Sequence, residues 1–504
     1  MTGSPVATPG SSDPGSSPLR YRSAAGRWVI AASVLGSGIA ALDATVVGIA
    51  LPTIGRDFHT GLGPLQWVVT AYTLTLAAFL LLGGTLGDRF GRRRIFSIGV
   101  AWFAVTSMAC GLAPNADFLI AMRALQGIGA ALLTPGSLAI LQASFDPEDR
   151  AQAIGAWSGL GGLTTAAGPL IGGYLISVAS WRWVFFINVP IVVVVLVLTA
   201  RHVPESRDPT TTGALDTTGA ALGIVWLAAI TYALIEGPSL GWSSPVILTM
   251  LGIAGAGLVA FLVVEQHKRS PMLPLSLFRV RQFSATNAVT FVVYAALGGA
   301  LFLLPIELQV VSGYSPLESG LALLPVTVIM LLFSARSGRL ATRLGPRLQM
   351  GLGPIVVGVG LALLVRSTDG ANYILYVLPA VLIFGAGLAI TVAPLTSTAM
   401  SSVAVEHAGL ASAVNNDVAR TGGLIAVAVL PALAGITGDT YLHAQQFADG
   451  FRTAVAISAG ACIAGGILAA AAIRNPPRPA PLPGTVTPVA ECMHCALDAP
   501  PVRT

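Results

Sequence analysis

Long apolar segments separated by short polar ones occupy most of this 504-residue chain. A helix needs about 20 predominantly apolar residues to cross the hydrocarbon core of a bilayer. The pattern therefore predicts an all-α integral membrane protein with fourteen spanning helices. We place these helices at residues 28–54, 66–84, 95–112, 117–141, 151–177, 183–200, 217–236, 245–264, 283–311, 318–337, 348–366, 372–400, 408–436 and 451–473.

The composition agrees with a membrane protein and narrows its function. Hydrophobic residues make up 54% of the chain and charged residues only 10%, whereas a soluble domain carries about 25% charged residues. The net charge of +5 comes from loop arginines that face anionic lipid, so we expect no nucleic-acid partner. Lys268 is the only lysine and follows no glycine-rich loop, which excludes a Walker A motif. No catalytic motif is present, and we expect neither an enzyme nor a cofactor.

Basic residues are distributed unevenly between the two sides of the membrane. With fourteen spans both termini lie on one side, and 21 lysines and arginines fall there. The other side has four, Arg56, Arg182, Arg366 and Arg452. Basic loops stay in the cytoplasm. We therefore expect a multi-pass protein of the cell inner (plasma) membrane with both termini cytoplasmic.

A glycine- and arginine-rich stretch occurs twice in the chain. Residues 83–94 read GGTLGDRFGRRR and residues 338–347 read GRLATRLGPR, with five matches at a constant offset of 254. This offset exceeds the roughly 200 residues that six helices with short loops need, so a helix pair is inserted between two repeated halves. The predicted order is a disordered cytoplasmic arm (1–26), an N-terminal six-helix half (27–200), a cytoplasmic linker (201–216), two inserted helices (217–264), a C-terminal six-helix half (265–473) and a disordered cytoplasmic tail (474–504).

One carboxylate lies within the first predicted span. Asp43 stands in the segment ALDATVVGIALP, and a charge near mid-bilayer costs about 2.5–3.5 kcal/mol on insertion scales. Such residues usually face a cavity, where Asp43 could exchange protons or attract a cationic substrate. The alternative is a structural aspartate that is hydrogen-bonded to a neighbouring helix.

An arginine lies within the fourth predicted span. Arg123 begins the segment RALQGIGAA, and its charge must be met by a carboxylate or by backbone carbonyls. Gln126, one turn further on, shares the same helical face. Both kinds of partner for Arg123 are open at this stage.

Glycines and one proline mark a smooth face on the fifth predicted span. Small residues at these spacings let helix backbones approach closely, and a proline bends the helix. The residues are Gly155, Gly168, Pro169, Gly172 and Gly173.

These motifs together resemble those of the major facilitator superfamily, and within it the drug:proton antiporter family with fourteen transmembrane helices. The resemblance covers residues 28–473. It implies proton-coupled export of small amphipathic drugs or metabolites, including cations of the quaternary-ammonium type, by alternating access, and thus antibiotic resistance. It also links Arg123 to proton transfer and identifies the fifth-helix glycines with the antiporter motif of exporters. The alternatives are proton-linked uptake of a nutrient or metabolite and, from another class, a non-transporting membrane sensor.

The same resemblance gives the glycine–arginine loop a role as a cytoplasmic gate. In the family this loop bridges the two halves when the cytoplasmic side is closed. Asp88 would then meet a helix N-terminus of the opposite half, and the second copy has Thr342 in its place. The predicted gate residues are Gly84, Asp88, Arg89, Gly91 and Arg92.

Several further polar residues are candidates for the transport path. Glu307 is either a second proton or cation site or a residue at the outer interface that meets water. Asp417 and Arg420 are three apart and could pair on one helix face. Tyr72, Tyr294, Asn415 and Asn416 are candidates to line the cavity, where a tyrosine can stack on a flat cation.

Two cysteines lie close together in the C-terminal tail. Cys492 and Cys495 flank a methionine and a histidine, but a structural zinc site needs four ligands, so we expect no metal.

The expected partners are a small-molecule substrate, protons and membrane lipid, and the protein is expected to be a monomer.

Overall fold

The computed structural model describes residues 18–208, 216–268, 271–369, 372–404 and 408–475. Within these ranges the regular structure is helical, apart from one isolated bridge between Leu19 and Phe145. The α-helices are α1 (Ala24–Phe58), α2 (Leu62–Phe90), α3 (Arg92–Gly111), α4 (Ala116–Ser144), α5 (Pro147–Val178), α6 (Trp183–Phe186), α7 (Asn188–His202), α8 (Thr217–Leu240), α9 (Pro245–His267), α10 (Arg281–Val310), α11 (Pro316–Leu344), α12 (Pro346–Leu363), α13 (Leu378–Ser401), α14 (Ala408–Leu433) and α15 (Ala444–Ala472).

Among the described residues, twelve helices are long and apolar enough to cross a membrane. In this count α6 and α7 form one span, Trp183–His202, and α13 is preceded by a π-helical turn, Tyr373–Val377. Two further helices, α5 and α14, have 32 and 26 residues but contain more polar and small side chains. Together these helices give fourteen of spanning length, the predicted number.

The glycine–arginine stretch is mostly helical, and its prediction as a loop is wrong. Helix α2 continues through Asp88 to Phe90, and α11 continues to Leu344. Each helix ends at a glycine with positive φ, +112° at Gly91 and +84° at Gly345. Only glycine adopts this backbone conformation without strain, so the turn in each copy is one residue long.

The two halves of the chain pack their helices in the same way. In the first half α1 packs on α5 and α7, α2 packs on α4, and α3 packs on α4 and α7. In the second half α10 packs on α14 and α15, α11 packs on α13, and α12 packs on α13 and α15. These are equivalent pairs in each six-helix set, which agrees with the repeat in the sequence. The inserted helices α8 and α9 pack on each other, and α8 also contacts α2 and α14.

The halves are joined by hydrogen bonds at one end of the bundle. We call the end where α2 meets α3 the basic end, and the other the far end. At the far end Gln66 Nε2 donates to the carbonyl oxygen of Val427 (2.7 Å), and Gln309 Nε2 donates to that of Ile49 (3.0 Å). Among the described residues, the side-chain hydrogen bonds between the halves therefore lie at the far end.

Candidate functional site

The charges of α1 and α4 meet inside the first half. Arg123 Nη1 of α4 donates to Asp43 Oδ2 of α1 and forms a salt bridge with it. The Asp43 side chain is 0% exposed and that of Arg123 only 1%. The structure thus brings together two residues that the sequence placed in separate spans, and Arg123 meets a carboxylate as well as backbone.

Neighbouring amides complete the cluster around the ion pair. Gln126 Oε1 accepts from Arg123 Nη1 (2.7 Å), while Gln126 Nε2 donates to Asp43 Oδ1 (3.1 Å). Asn188 Nδ2 donates to the same Oδ1 (3.1 Å) and to Ser107 Oγ (3.0 Å). Asn188 stands at the first residue of α7, immediately after the break from α6. Four helices, α1, α3, α4 and α7, therefore fix the position of a single carboxylate.

Aromatic and backbone groups hold the guanidinium of Arg123. Its Nε donates to the carbonyl oxygen of Val68 (3.1 Å), and its Cζ lies 4.3 Å from the centroid of the Tyr72 ring. The Tyr72 hydroxyl donates to the carbonyl oxygen of Ala40 (3.3 Å) and is buried. Tyr72 is therefore part of the ion-pair cluster, and the prediction that it lines an open cavity does not describe this conformation.

The two charges of the cluster depend on each other. A buried ion pair is stable only while both partners keep their charges and their hydrogen bonds. Loss of either charge would leave the other with neutral partners in a medium of low dielectric.

Glu307 is buried at the far end of α10. Its side chain is 0% exposed, so the interpretation that it meets water at the outer interface is wrong. Ser312 Oγ donates to Glu307 Oε1 (3.0 Å), while Oε2 has no hydrogen-bond partner among the described residues. Glu307 thus belongs to the second half and makes no contact with the Asp43 cluster.

The polar residues of α14 do not act as one group. Asn415 Nδ2 donates to Asn287 Oδ1 (3.1 Å) and Thr290 Oγ1 (2.8 Å) of α10, so it ties two helices together and does not line a cavity. Asn416 is exposed and donates to the carbonyl oxygen of Ser412 (3.0 Å). Tyr294 of α10 is partly buried.

The expected pairing of Asp417 with Arg420 is not a direct contact. Asp417 Oδ1 and Arg420 Nε both lack a hydrogen-bond partner in the described structure, although the charge of Arg420 acts on the Asp417 carboxyl group. Correct helical spacing brings two residues to one face but does not determine the side-chain rotamers that a contact needs.

At the basic end, the predicted gate residues contact their own half. Arg92 donates from Nη2 to Asp88 Oδ1 (2.7 Å), one helical turn away across the Gly91 break. Arg89 lies against the ring of Phe90. The side-chain contact of Asp88 is thus with Arg92 of its own half. Close packing in this region comes from Gly83, where a Cβ would lie 2.3 Å from the carbonyl oxygen of Ala131, whereas a Cβ at Gly84 would lie 3.6 Å from its nearest neighbour, Pro135.

A residue after the last helix of each half caps the helix that follows the glycine. Glu205 accepts from the N–H groups of Arg93 (3.0 Å) and Arg94 (3.2 Å) at the start of α3. In the second half, Asn475 Oδ1 accepts from the N–H of Arg347 (3.0 Å) at the start of α12. Carboxylate and amide oxygens satisfy free N–H groups at helix N-termini, so each half clamps its helix junction in the same way.

The glycines of α5 pack against helices of both halves. A Cβ at Gly168 would lie 2.0 Å from Thr45 Oγ1, and one at Gly172 would lie 2.7 Å from Val46 Cγ1, both on α1. Gly173 faces α11, where a Cβ would lie 2.6 Å from the carbonyl oxygen of Pro316. Gly155 packs against nothing within 4 Å here. The motif thus brings α5 close to α1 and to the opposite half, as its small residues predict.

The contact with the opposite half is reciprocal. On α11, a Cβ at Gly320 would lie 2.2 Å from the carbonyl oxygen of Pro169. Each helix therefore presents a glycine to the backbone of the other, which permits the close approach that shuts the far end.

Sequence reasoning missed Asn188, Ser107 and Glu205. Asn188 is the one amide in a long apolar span, and an uncharged polar residue at that depth was a usable signal. Ser107 and Glu205 gave no comparable signal, because serine is common in spans and Glu205 lies in a polar linker.

Among the described residues, no group of three or more His, Cys, Asp or Glu could hold a metal ion. Cys492 and Cys495 lie outside the described residues, as do most of the predicted N-terminal arm and tail and residues 209–215 of the linker.

Comparison with known proteins identifies the class that this fold and site define. The model of the Major Facilitator Superfamily matches residues 33–427. The chain is 38% identical over 400 residues to the multidrug resistance protein Stp of Mycobacterium tuberculosis, covering 79% of this chain and 74% of that protein. It is 36% identical over 420 residues to the tetracenomycin C resistance and export protein of Streptomyces glaucescens, with coverages of 81% and 76%.

Two solved structures share the fold of this chain at much lower sequence identity than the relatives above. A bacterial homologue of the human lysosomal transporter Spinster, solved in an inward-facing and unoccupied conformation, aligns with a TM-score of 0.65 and 17% identity, covering 88% of this chain and 96% of that chain. The D-xylose–proton symporter aligns with a TM-score of 0.63 and 15% identity, covering 89% and 98%.

The chain belongs to the Major Facilitator Superfamily. It is a multi-pass membrane transporter of the drug-efflux type, not an enzyme, and a transporter of this type is driven by an ion gradient and needs no cofactor.

Proposed function

We propose that this transporter exports small amphipathic compounds, cations among them, in exchange for protons. The observation that carries the proposal is the Asp43–Arg123 pair, which is shielded from solvent and held by Gln126 and Asn188. The names of the related resistance and export proteins support the direction of transport.

The ion pair couples proton binding to helix movement. Breaking a buried pair by removing one charge costs about 3–5 kcal/mol when the other charge stays buried. A proton therefore binds Asp43 favourably only if Arg123 gains water or another anion at the same time. Such exposure requires α4 and α7 to move away from α1, because α4 and α7 supply the three groups that surround the carboxylate. Proton binding and the change of conformation are thus one event.

The proton gradient supplies enough energy for export. One charge that crosses a potential of about 100 mV yields about 2.3 kcal/mol. Each 1.4 kcal/mol supports about a tenfold concentration ratio. One proton per cycle therefore sustains a gradient of several tens-fold for a neutral substrate.

The proposal includes the orientation of the protein in the membrane. The basic end faces the cytoplasm of the inner (plasma) membrane, with both termini on that side, because arginines concentrate there. The chain acts as a monomer in lipid. Its units are the half at 27–200, the linker at 201–216, the inserted pair at 217–264 and the half at 265–473.

In alternating access, the contact between the halves then switches from one end of the bundle to the other. In the present conformation α5 and α11 shut the far end through Gly173 and Gly320. In the alternative conformation these contacts separate, and Asp88 at the basic end gives up its contact with Arg92 to reach the opposite half.

Everted membrane vesicles test the direction and the coupling. Vesicles from a pump-deficient host that expresses the protein are acidified inside by respiration, and ethidium or another compound from a toxic panel is then added. We expect the added compound to release protons from the vesicles, whereas vesicles without the protein stay acidic. If the compound leaves the pH gradient intact and whole cells accumulate it, the protein is an uptake permease. If no compound on a broad panel moves in either direction, the proposal of proton-coupled drug export fails.

A further inference from the structure

A pocket lies where the two halves and the inserted helix pair meet. It encloses about 190 Å³ and is lined by residues of α2, α8, α9, α10 and α14. None of Asp43, Arg123, Gln126 and Asn188 lines it, so it is separate from the ion-pair cluster.

One carboxylate oxygen in the pocket has no hydrogen-bond partner among the described residues. Asp417 of α14 lines the pocket, and its Oδ1 is shielded from solvent. Arg420, one turn away, acts on Asp417 through its charge but makes no direct hydrogen bond with it in the described structure. A shielded carboxylate oxygen without a hydrogen bond is costly, so the site favours a ligand that brings a positive charge to Oδ1.

The remaining walls are apolar and aromatic. Trp226 of α8, Phe261 of α9 and Phe291 of α10 line the pocket, and Phe278 lies on the segment before α10. Aromatic faces attract cations that have lost part of their hydration shell. A carboxylate among aromatic rings is the chemistry that recognises an organic cation and rejects a strongly hydrated metal ion.

The floor of the pocket is held in place by the ends of the inserted pair. Asp216 Oδ2 accepts from the N–H of Met272 (3.3 Å), and Glu265 Oε2 accepts from the N–H of Leu273 (2.9 Å). Lys268 donates to Asp216 and forms a salt bridge with it. These bonds fix the segment that carries Met272 and Leu273, two of the lining residues. The pocket is therefore built before any ligand binds.

We propose that this pocket binds the cationic head of an amphipathic compound, with Asp417 as its charge partner and the inserted helices as its outer wall. The proposal rests on the function given above and assigns α8 and α9 a role in substrate binding. The rest of the molecule extends between α2 and α14, towards the space between the halves.

Binding of radiolabelled tetraphenylphosphonium to the full-length protein in lipid nanodiscs tests the site. We expect Asp417→Asn, which keeps the shape of the side chain, to weaken binding at least tenfold, and Trp226→Ala to weaken it as well. Asp449→Asn is the matched control, because Asp449 is exposed near the far end and pairs with Arg452. Unchanged affinity in Asp417→Asn overturns the proposal.

A crosslinking measurement keeps the proposal testable if Asp417→Asn fails to fold. A photoreactive benzophenone–phosphonium is bound to the wild-type protein, irradiated, and mapped by mass spectrometry. We expect labelled peptides from α8 and α14 and loss of labelling in excess tetraphenylphosphonium. Labelling confined to helices outside the pocket overturns the proposal.

The two proposals fail in different ways. If ethidium drives proton release but tetraphenylphosphonium binds the wild type and Asp417→Asn equally, the export function stands and the pocket assignment falls. If the phosphonium labels α8 and α14 but no compound drives proton release, the site stands and proton-coupled export falls.

Discussion

Asp43 and Arg123 depend on each other more than on any other residue around them. Each is the other's salt-bridge partner among the described residues, and both are shielded from water. Gln126 and Asn188 add neutral hydrogen bonds to Asp43 but supply no charge. The stability of the cluster thus comes from the pair as a unit and not from either charge alone.

This mutual dependence predicts how variants of the pair unfold. Arg123→Gln leaves the Asp43 carboxylate buried without a counter-charge, so we expect a loss of about 3–5 kcal/mol in stability. The double variant Arg123→Gln with Asp43→Asn has no buried charge, and we expect it to recover most of that loss. Thermal unfolding of the purified proteins in nanodiscs measures both. A double variant less stable than Arg123→Gln alone would contradict the account.

At the scale of elements, the contact between α5 and α11 closes the far end. Gly173 faces the backbone at Pro316, and Gly320 faces the carbonyl of Pro169. Such close approach requires that neither residue carries a side chain. The same helix α5 uses Gly168 and Gly172 to pack on α1, so it contacts both the helix that carries Asp43 and the opposite half.

A single methyl group should therefore disturb the closed far end. In Gly173→Ala the new Cβ would lie 2.6 Å from the carbonyl oxygen of Pro316, so the helices must separate. We expect transport to slow about tenfold and the far end to open more often, as measured by the accessibility of a nearby cysteine to a membrane-impermeant maleimide. Gly252→Ala on α9 is the control, because its Cβ would meet nothing within 4 Å. Equal rates in both variants would refute this role for Gly173.

At the scale of the whole molecule, the repeat produces two halves with equivalent helix packing. Each half has the same helix pairing and the same cap over its glycine turn, through Glu205 in one and Asn475 in the other. The halves are connected by hydrogen bonds at the far end, through Gln66 and Gln309. This construction fits the proposed rocking of one half against the other.

Spin labels should detect whether the contact between the halves moves from the far end to the basic end. We replace the four cysteines with serine and then label one pair at the basic end, Glu148→Cys with Arg343→Cys, and one at the far end, Thr60→Cys with His443→Cys. Without substrate we expect a long distance at the basic end and a short one at the far end. Acid pH and substrate should shift the two distances in opposite directions. Two distances that never change would rule out the rocking motion.

Much of this architecture could be predicted because membrane spans follow from apolar length alone. The number of helices, the repeat and the presence of Asp43 and Arg123 inside spans all came from that pattern. The helical state of Asp88 and Arg89 could not be predicted, because polar residues continue a helix wherever its backbone bonds are satisfied. Only Gly91 had to break it, and only its positive φ reveals this.

Side-chain partners were harder to predict than positions in the sequence. Asp417 and Arg420 have the spacing of a pair but make no direct hydrogen bond with each other. Asn415 donates a hydrogen bond to a side chain of α10 and does not line a cavity. Glu307 is buried, although its position in the sequence was equally consistent with the outer membrane interface. The partners of Asn415 lie on a helix that is distant in the sequence, and the contact between Asp417 and Arg420 depends on side-chain rotamers. Periodicity carries no information about either.

The most direct test of the account concerns Asp43 in purified protein. Wild type and Asp43→Asn are reconstituted into proteoliposomes with a pH-sensitive dye inside and an imposed pH gradient, and an exported compound is added. The account predicts substrate-dependent proton flux in the wild type and none in Asp43→Asn, although the variant still binds the compound. Wild-type proton flux through Asp43→Asn would contradict the claim that this carboxylate couples protons to transport.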